Sequence, residues 1–549
     1  GDFRMKRFSV RLLGVSVAAL LSLGACSNEQ ASKSEQTYSK ISATAQPLAS
    51  AEMGRVASGA QADMAMYAPY PAPRAEQFTE KYPTAPQNSV KLVSKEPVST
   101  FSIDVDTASY ANTRRFLHDG QLPPRDAVRV EELVNYFDYG YAKPASAKVP
   151  FRATTTLVAS PWSKERQILH IGLQGYDVPQ VSQPPLNLVL LVDTSGSMNS
   201  EDKLPLAKKA LNLLVDQLDK DDHVSIVAYA GSAGEVLTPT DGDKKSKIRN
   251  ALDALSSGGS TAGGEGLALA YRLAQENFAK GAVNRVILLT DGDFNVGIND
   301  PEKLKDFIAE KRKSGVYLSV YGFGRGNYND LMMQSLAQTG NGTAAYIDTM
   351  QEARKLLRDD LAGSLFPIAD DVKIQIEFNP ALVAEYRLIG YETRLLNRED
   401  FNNDKVDAGE VGSGVSVTAL YEITPVGAKA SSDPLRYQDE TKVPSKGGEL
   451  AFLKVRYKEP GGTTSKLMKQ AISSEALASV DAAPEATRWA VAVAGFGERL
   501  RGSNWVSDSF GLDEIVALAQ KSRGEDEYGL RAEFVQLVRA AKDAKSLNE

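Results

Sequence analysis

Residues 187–198 read Asn-Leu-Val-Leu-Leu-Val-Asp-Thr-Ser-Gly-Ser-Met, an apolar run that stops at a carboxylate and two hydroxyls. A strand with one face in water alternates polar and apolar residues. A run this uniform instead fits a strand covered on both faces, as in a parallel sheet. Open α/β sheets bind ligands just beyond the carboxyl ends of their strands. Asp193, Ser195 and Ser197 alternate along a tight loop at that end, so their oxygens converge. Three hard oxygen donors without nitrogen or sulfur suit Mg²⁺, with Mn²⁺ or Ca²⁺ as alternatives, rather than zinc or copper.

The chain on either side of this strand alternates strand and helix, the pattern of a parallel sheet with crossover helices. Strands are expected at 187–193, 223–230, 284–290, 316–323 and 344–348, with a short one at 235–239. Helices are expected at 203–218, 244–255, 264–279, 301–313, 328–339 and 350–364. The expectation is one α/β domain over 186–365, built on a doubly wound, mostly parallel sheet. After Phe366 the pattern becomes the polar–apolar alternation of half-buried antiparallel strands, at 371–378, 383–388, 415–423 and 449–457. A β-rich, sandwich-like domain is therefore expected over 366–470. The strands at 151–157 and 167–173 are candidates to join it, which would make it discontinuous around the α/β insertion. Residues 471–549 read as a helical region with Trp489, Val491, Val493 and Phe496 in its core.

Upstream, Met5-Lys6-Arg7 opens a basic stretch, residues 12–23 are mostly apolar, and Leu23-Gly24-Ala25-Cys26 closes it with small residues. This is the layout of a secretory signal, and it resembles the bacterial lipobox. Residues 1–26 are read as a lipoprotein signal, with Cys26, the single cysteine of the chain, as the lipidated residue. A cleaved signal beside an incidental cysteine is the alternative. Ser27, not Asp, follows the cysteine, and by the sorting rule of such lipoproteins this favours the outer membrane. Residues 27–97 carry Ser, Ala, Gln and Pro without sustained periodicity and read as an extended tether.

Residues 98–185 form a further region. A strand leads into a helix over 110–118, and a second amphipathic helix spans 126–137 with Asp126 at its cap position. The run Asp104-Val-Asp106-Thr107-Ala-Ser109 has the composition of a second ion loop, but helix capping by Asp106 or Thr107 is the preferred reading. His170 falls inside a strand and is read as a packed core residue.

If Asp193, Ser195 and Ser197 hold a cation, neighbouring strand ends supply further oxygens. Thr261 lies in the turn Ser257-Gly-Gly-Ser-Thr-Ala-Gly-Gly264, and Asp291 ends the apolar run Leu288-Leu289-Thr290. With these five residues in order, 187–364 resembles the von Willebrand factor A domain and its metal-ion-dependent adhesion site. That resemblance implies that Ser195 and Ser197 bind the metal directly, that Thr261 joins in the ligand-competent state, and that Asp193 and Asp291 act through waters and hydrogen bonds. It also implies a sixth position for the Asp or Glu carboxylate of a protein partner. Asp293 and Asn295 are read as solvated loop. The flanking runs Phe101–Tyr110 and Pro123–Phe137 resemble a bacterial lipoprotein group with an N-terminal von Willebrand-associated region, the A domain and a C-terminal domain of unknown function.

A net charge of −7 argues against nucleic acid as a partner. The expected role is metal-dependent binding of a protein at the cell envelope, through a lipid-anchored chain. The alternatives are a metal-assisted hydrolase, or a scaffold whose A domain is not the binding face. Against an enzyme, the three histidines, His118, His170 and His223, adjoin no metal-loop residue, and no nucleophile elbow, zinc helix or phosphate loop occurs.

Overall fold

In the computed structural model, residues 79–549 are described apart from 104, 261–262, 293–300, 433–446 and 549. Cys26, Asp104, Thr261, Asp293 and Asn295 lie outside the described residues. No helix among the described residues is long and apolar enough to cross a membrane.

The α/β domain is a six-stranded sheet in the spatial order 344–347, 316–323, 283–290, 186–193, 223–229, 233–241. All pairs are parallel except the last, an edge hairpin in which Ala233–Asp241 runs antiparallel to His223–Tyr229. All eight residues of the central strand Leu186–Asp193 are buried. Leu186, Leu188, Leu190 and Val192 face one helical layer, whereas Val189 and Leu191 face the other. This two-sided burial is why the strand has no polar alternation.

The last helix of this domain departs from the expected single helix over 350–364. It runs α-helical over Met350–Arg354, widens to a π-turn over Lys355–Asp359 and resumes at Leu361–Leu365. The wider turn sets both Leu356 and Leu357 into the apolar core, which a regular turn spreads further around the axis. An ion pair between Lys355 and Asp360 closes it.

Two sheets face each other beside this domain, antiparallel throughout except where Ala476–Leu477 pairs parallel with Phe151–Ala159. One has Gln167–Gly175 between Phe151–Ala159 and Ser416–Pro425, with Val383–Ile389 beyond. The other centres on Pro367–Phe378, flanked by Val98–Ser102 and Glu449–Lys458, with Ser465–Ser473 at the edge. The strands at 151–159 and 167–175 thus pair with strands that follow the α/β domain in sequence. A helical layer, Glu485–Leu500, Leu512–Lys521 and Leu530–Asn548, packs with Trp489, Val491, Val493 and Phe496 in one apolar cluster.

Three further expectations need correction. Residues 79–97, read as part of the tether, are packed: Lys91–Leu92 pairs with Glu385 and Tyr386, Val93 is buried, and the Asn88 amide donates to the carbonyls of Leu388 and Gly390. Backbone and amide hydrogen bonds, the Glu80–Arg115 ion pair and single apolar contacts hold this stretch, and these leave no periodic signature. The helix expected over 126–137 is a 3₁₀ turn at Arg125–Ala127 and a short helix at Val130–Val134. The Ser109 hydroxyl donates to the Ala127 carbonyl and accepts from the Arg129 N–H, diverting groups that a continuous helix needs. Asp106 caps no helix. It accepts from the Ala344 N–H and from Arg394, tying the edge of the α/β sheet to the loop after Val383–Ile389. Thr107 holds the N-cap position of Ala108–His118 without a side-chain bond.

Buried polar groups join the layers. The Arg114 side chain, on Ala108–His118, is fully buried and bonds Asp348 and Glu352 of the α/β domain, Tyr136, and Glu533 of the last helix. Arg114→Met strands Asp348 and Glu352 as buried charges, so a loss of about 3–5 kcal/mol is expected, read as a lower urea midpoint for the whole chain.

His170 accepts or donates at both ring nitrogens, to the Tyr141 and Thr487 hydroxyls, and burial pushes its pKa down to about 3. Its stabilising contribution is complete above the unfolded value of about 6.5. It falls as pH drops from there towards 3, because only the unfolded chain then takes up the proton. The thermal midpoint of His170→Gln is therefore expected to be lower at neutral pH but flatter than that of the parent chain between pH 6.5 and 4.

Candidate metal centre

The carboxyl end of the central strand delivers Asp193 fully buried. One carboxylate oxygen accepts the Ser195 N–H at 2.9 Å; the other accepts the hydroxyls of Tyr229 at 3.1 Å and Thr290 at 3.2 Å. These partners stand at the ends of the two strands hydrogen-bonded to it. Burial raises the Asp193 pKa, the hydrogen bonds from Ser195 and Tyr229 work against that, and the charge on Asp291 adds to it. The Asp193–Ser195 contact curls the loop back on itself. The Ser195 and Ser197 hydroxyls then lie 3.0 Å apart, with Ser195 buried and Ser197 exposed.

The Gly-rich turn expected to bring up Thr261 is docked on this loop. The Gly258 N–H donates to the Thr194 carbonyl at 2.8 Å, and the Gly196 N–H donates to the Gly259 carbonyl at 3.1 Å. Thr261 itself lies outside the described residues, two positions beyond Gly259. Together, Gly196, Ser197 and residues 258–260 form an exposed lip over the buried Asp193.

Asp291 lies at the end of the neighbouring strand and is fully buried. One of its oxygens accepts the Lys203 ammonium at 2.9 Å, and the same ammonium donates to the Asn327 side chain at 3.1 Å. Burial pushes the Asp291 carboxyl up, but Lys203 more than offsets it, with help from Asn327 and Ser197. The group sits below the ordinary carboxylate range. Gly292 next to it has φ +107°, and a Cβ there would lie 2.6–2.9 Å from the backbone of residues 327–329. Only glycine meets both conditions.

Lys203 was not singled out from the sequence. It precedes the helix Leu204–Gln217, where a lysine ordinarily reads as solvated surface, yet it is buried. Its stem lies over Gly324, where a Cβ would come within 2.3 Å of the lysine Cγ and Cε. Asn327 was also missed, because it lies in the loop after Val316–Phe323, which has no motif.

Residues 79–82 hold that loop from outside. Thr79 and Lys81 donate their N–H groups to the carbonyls of Gly326 and Tyr328, each at 3.0 Å. Glu80 accepts the Gly326 N–H and both outer nitrogens of Arg115. Beneath, Arg129 bonds Asp330, whose other oxygen accepts the Tyr328 hydroxyl.

Four of the five expected residues, Asp193, Ser195, Ser197 and Asp291, are thus gathered at one edge of the sheet. The donor set is chemically suited to a hard divalent cation, with neutral hydroxyls between two carboxylates. Among the described residues no group of three or more His, Cys, Asp or Glu is placed to hold a metal. A centre built on serine hydroxyls has no need of such a group.

Comparison with known proteins places each part of the chain. Residues 187–359 match the von Willebrand factor type A domain, residues 76–170 a model described as von Willebrand factor, and residues 363–544 the C-terminal region of the uncharacterized protein YfbK. YfbK of Escherichia coli (strain K12) is 45% identical over 479 residues, spanning 86% of this chain and 82% of that one. Human inter-alpha-trypsin inhibitor heavy chain H4 is 26% identical over 183 residues, 32% of this chain and 20% of its own length. A solved von Willebrand factor type A structure from Catenulispora acidiphila aligns over 72% of this chain and 91% of its own, at 18% identity and a TM-score of 0.40. The chain belongs to the YfbK family of von Willebrand factor type A domain proteins.

Proposed function

We propose that this protein binds a protein partner through a metal-ion-dependent adhesion site at Asp193, Ser195, Ser197, Thr261 and Asp291, and is no enzyme. Von Willebrand factor type A domains generally mediate protein–protein contacts, and many hold a divalent metal at the end of the central strand. The observation that carries the reading is the loop geometry: a buried Asp193 folds the loop so that two serine hydroxyls meet at an exposed lip. Neutral hydroxyls leave a divalent ion incompletely neutralised, so it retains attraction for an Asp or Glu carboxylate of the partner. In this reading Mg²⁺ is the resident ion, with Mn²⁺ or Ca²⁺ able to replace it. Ser195 and Ser197 hold the ion directly, while Asp193 and Asp291 orient the groups around it. Lipidated Cys26 anchors the chain at the cell envelope, at the outer membrane.

Two measurements check this. Titration of the full chain in detergent with Mn²⁺ should show one bound ion, displaced by Mg²⁺. Ser195→Ala should abolish it, and Asp193→Ala should weaken it by roughly 10–100-fold, the scale for losing a group that orients a metal ligand. In pull-downs from envelope extracts, a partner should be retained with Mg²⁺, released by EDTA and absent with Ser195→Ala. Partner binding indifferent to both chelation and Ser195→Ala would overturn the proposal.

A further inference from the structure

Among the described residues, Lys203 is a charged group bonded to the centre that the metal-site reading does not use. Its ammonium reaches Asp291 at 2.9 Å and Asn327 at 3.1 Å. Its stem fills a channel open only because residue 324 is glycine, at φ +73°. Residue 203 is 8% exposed. Burying a lysine costs its hydration and much of its rotamer freedom, and a surface pair returns little. A lysine seated in a fitted channel against a buried carboxylate is a fixed element of the site, and the loop that carries Asn327 is itself strapped by Thr79 and Lys81.

We propose that Lys203 sets the specificity of the centre: it is a built-in cation that lowers the affinity for the metal and strengthens the hold on a partner's carboxylate. The inference rests on the metal-site reading above. Asp193 and Asp291 bring two negative charges, and Lys203 cancels one. A divalent ion added to Asp193 and Asp291 alone makes a neutral centre; with Lys203 present the same centre carries a net charge of +1. The groups that carry that surplus are buried, and Ser197 is the exposed side from which an acidic partner reaches them. Like charges in a poorly solvated site repel, so the same lysine works against the metal. It also holds the Asp291 oxygens in place when the metal leaves, which keeps two buried carboxylates from destabilising the fold. A partner for such a centre presents a single ionised carboxylate, not a neutral amide or a hydroxyl.

The test is Mn²⁺ binding by the full chain in detergent, followed by the electron paramagnetic resonance signal of free Mn²⁺, with folding checked by circular dichroism. Lys203→Met is expected to bind Mn²⁺ on the order of tenfold more tightly or better, the ratio that corresponds to about 1.4 kcal/mol of relieved repulsion. Lys203→Gln, which keeps a polar end for Asp291 and Asn327, should show the same direction if Lys203→Met does not fold. Lys203→Arg should stay close to the parent. Parent binding that is lost in Ser195→Ala but unchanged or weakened in both neutral variants would overturn the role of Lys203 and leave the metal site standing. Absence of Mn²⁺ binding by the parent chain, or full retention in Ser195→Ala, would overturn the metal site and this inference with it.

Discussion

Two carboxylates with no exposed surface, Asp193 and Asp291, stand at the ends of adjacent strands, and the surrounding structure is arranged to make that tolerable. An ionised carboxylate stripped of water is costly unless hydrogen bonds or counter-charge replace the hydration. Asp193 is held by one backbone N–H and two hydroxyls, and its pKa still rises. Asp291 has the Lys203 ammonium, and its pKa falls. Two residues of the same type, one strand apart, are therefore tuned in opposite directions by their neighbours. The centre pairs one carboxylate ready to share positive charge with one already supplied.

This division organises the layers around it. Lys203 brings in Asn327, Asn327 brings in its loop, and the loop is held by residues 79–82 from the N-terminal side and by Arg129 through Asp330. Arg114 repeats the device on a larger scale, joining the first helix, the last helix of the α/β domain and the C-terminal helix through one guanidinium. The α/β domain is also inserted into the sandwich. The strand Gln167–Gly175 before it and the strand Pro367–Phe378 after it belong to opposite sheets. Both chain ends of the domain that carries the centre thus continue into paired strands, while the lip with Ser197 faces solvent.

Much of this was legible in the residues because the physics behind it is local or periodic. Uniform burial of the central strand, the alternation of half-buried strands and the amphipathic helices all follow from which faces meet water. Apart from the helices expected over 126–137 and 350–364, the elements they predict appear within a few residues of the expected limits. The convergence of Asp193, Ser195 and Ser197 was legible for the same reason, since a five-residue loop fixes its own geometry. The sheet topology then brings Asp291 alongside, because parallel strands end at one edge. The strand Ser465–Ser473 was not legible. It is a sheet edge whose inner face holds Met468, Gln470 and Ile472 while Leu467 and Ala471 are exposed, so its hydropathy does not follow its alternation in burial.

The residues that escaped the sequence share one property: their role depends on a partner far along the chain. Asp106 reads as a cap because Asp before a helix caps it, but the Ala344 N–H and Arg394 compete for its oxygens and win. Asp126 reads as a cap for a helix that Ser109 interrupts. Lys203 reads as a solvated end of a helix, and nothing near it in sequence says otherwise. What seats it is Gly324, whose missing side chain leaves a channel 121 positions away. A glycine after an apolar strand and a lysine before an amphipathic helix are each unremarked alone. Their juxtaposition sets a charge beside Asp291, and only the sheet, by setting those strand and helix ends at one edge, supplies it.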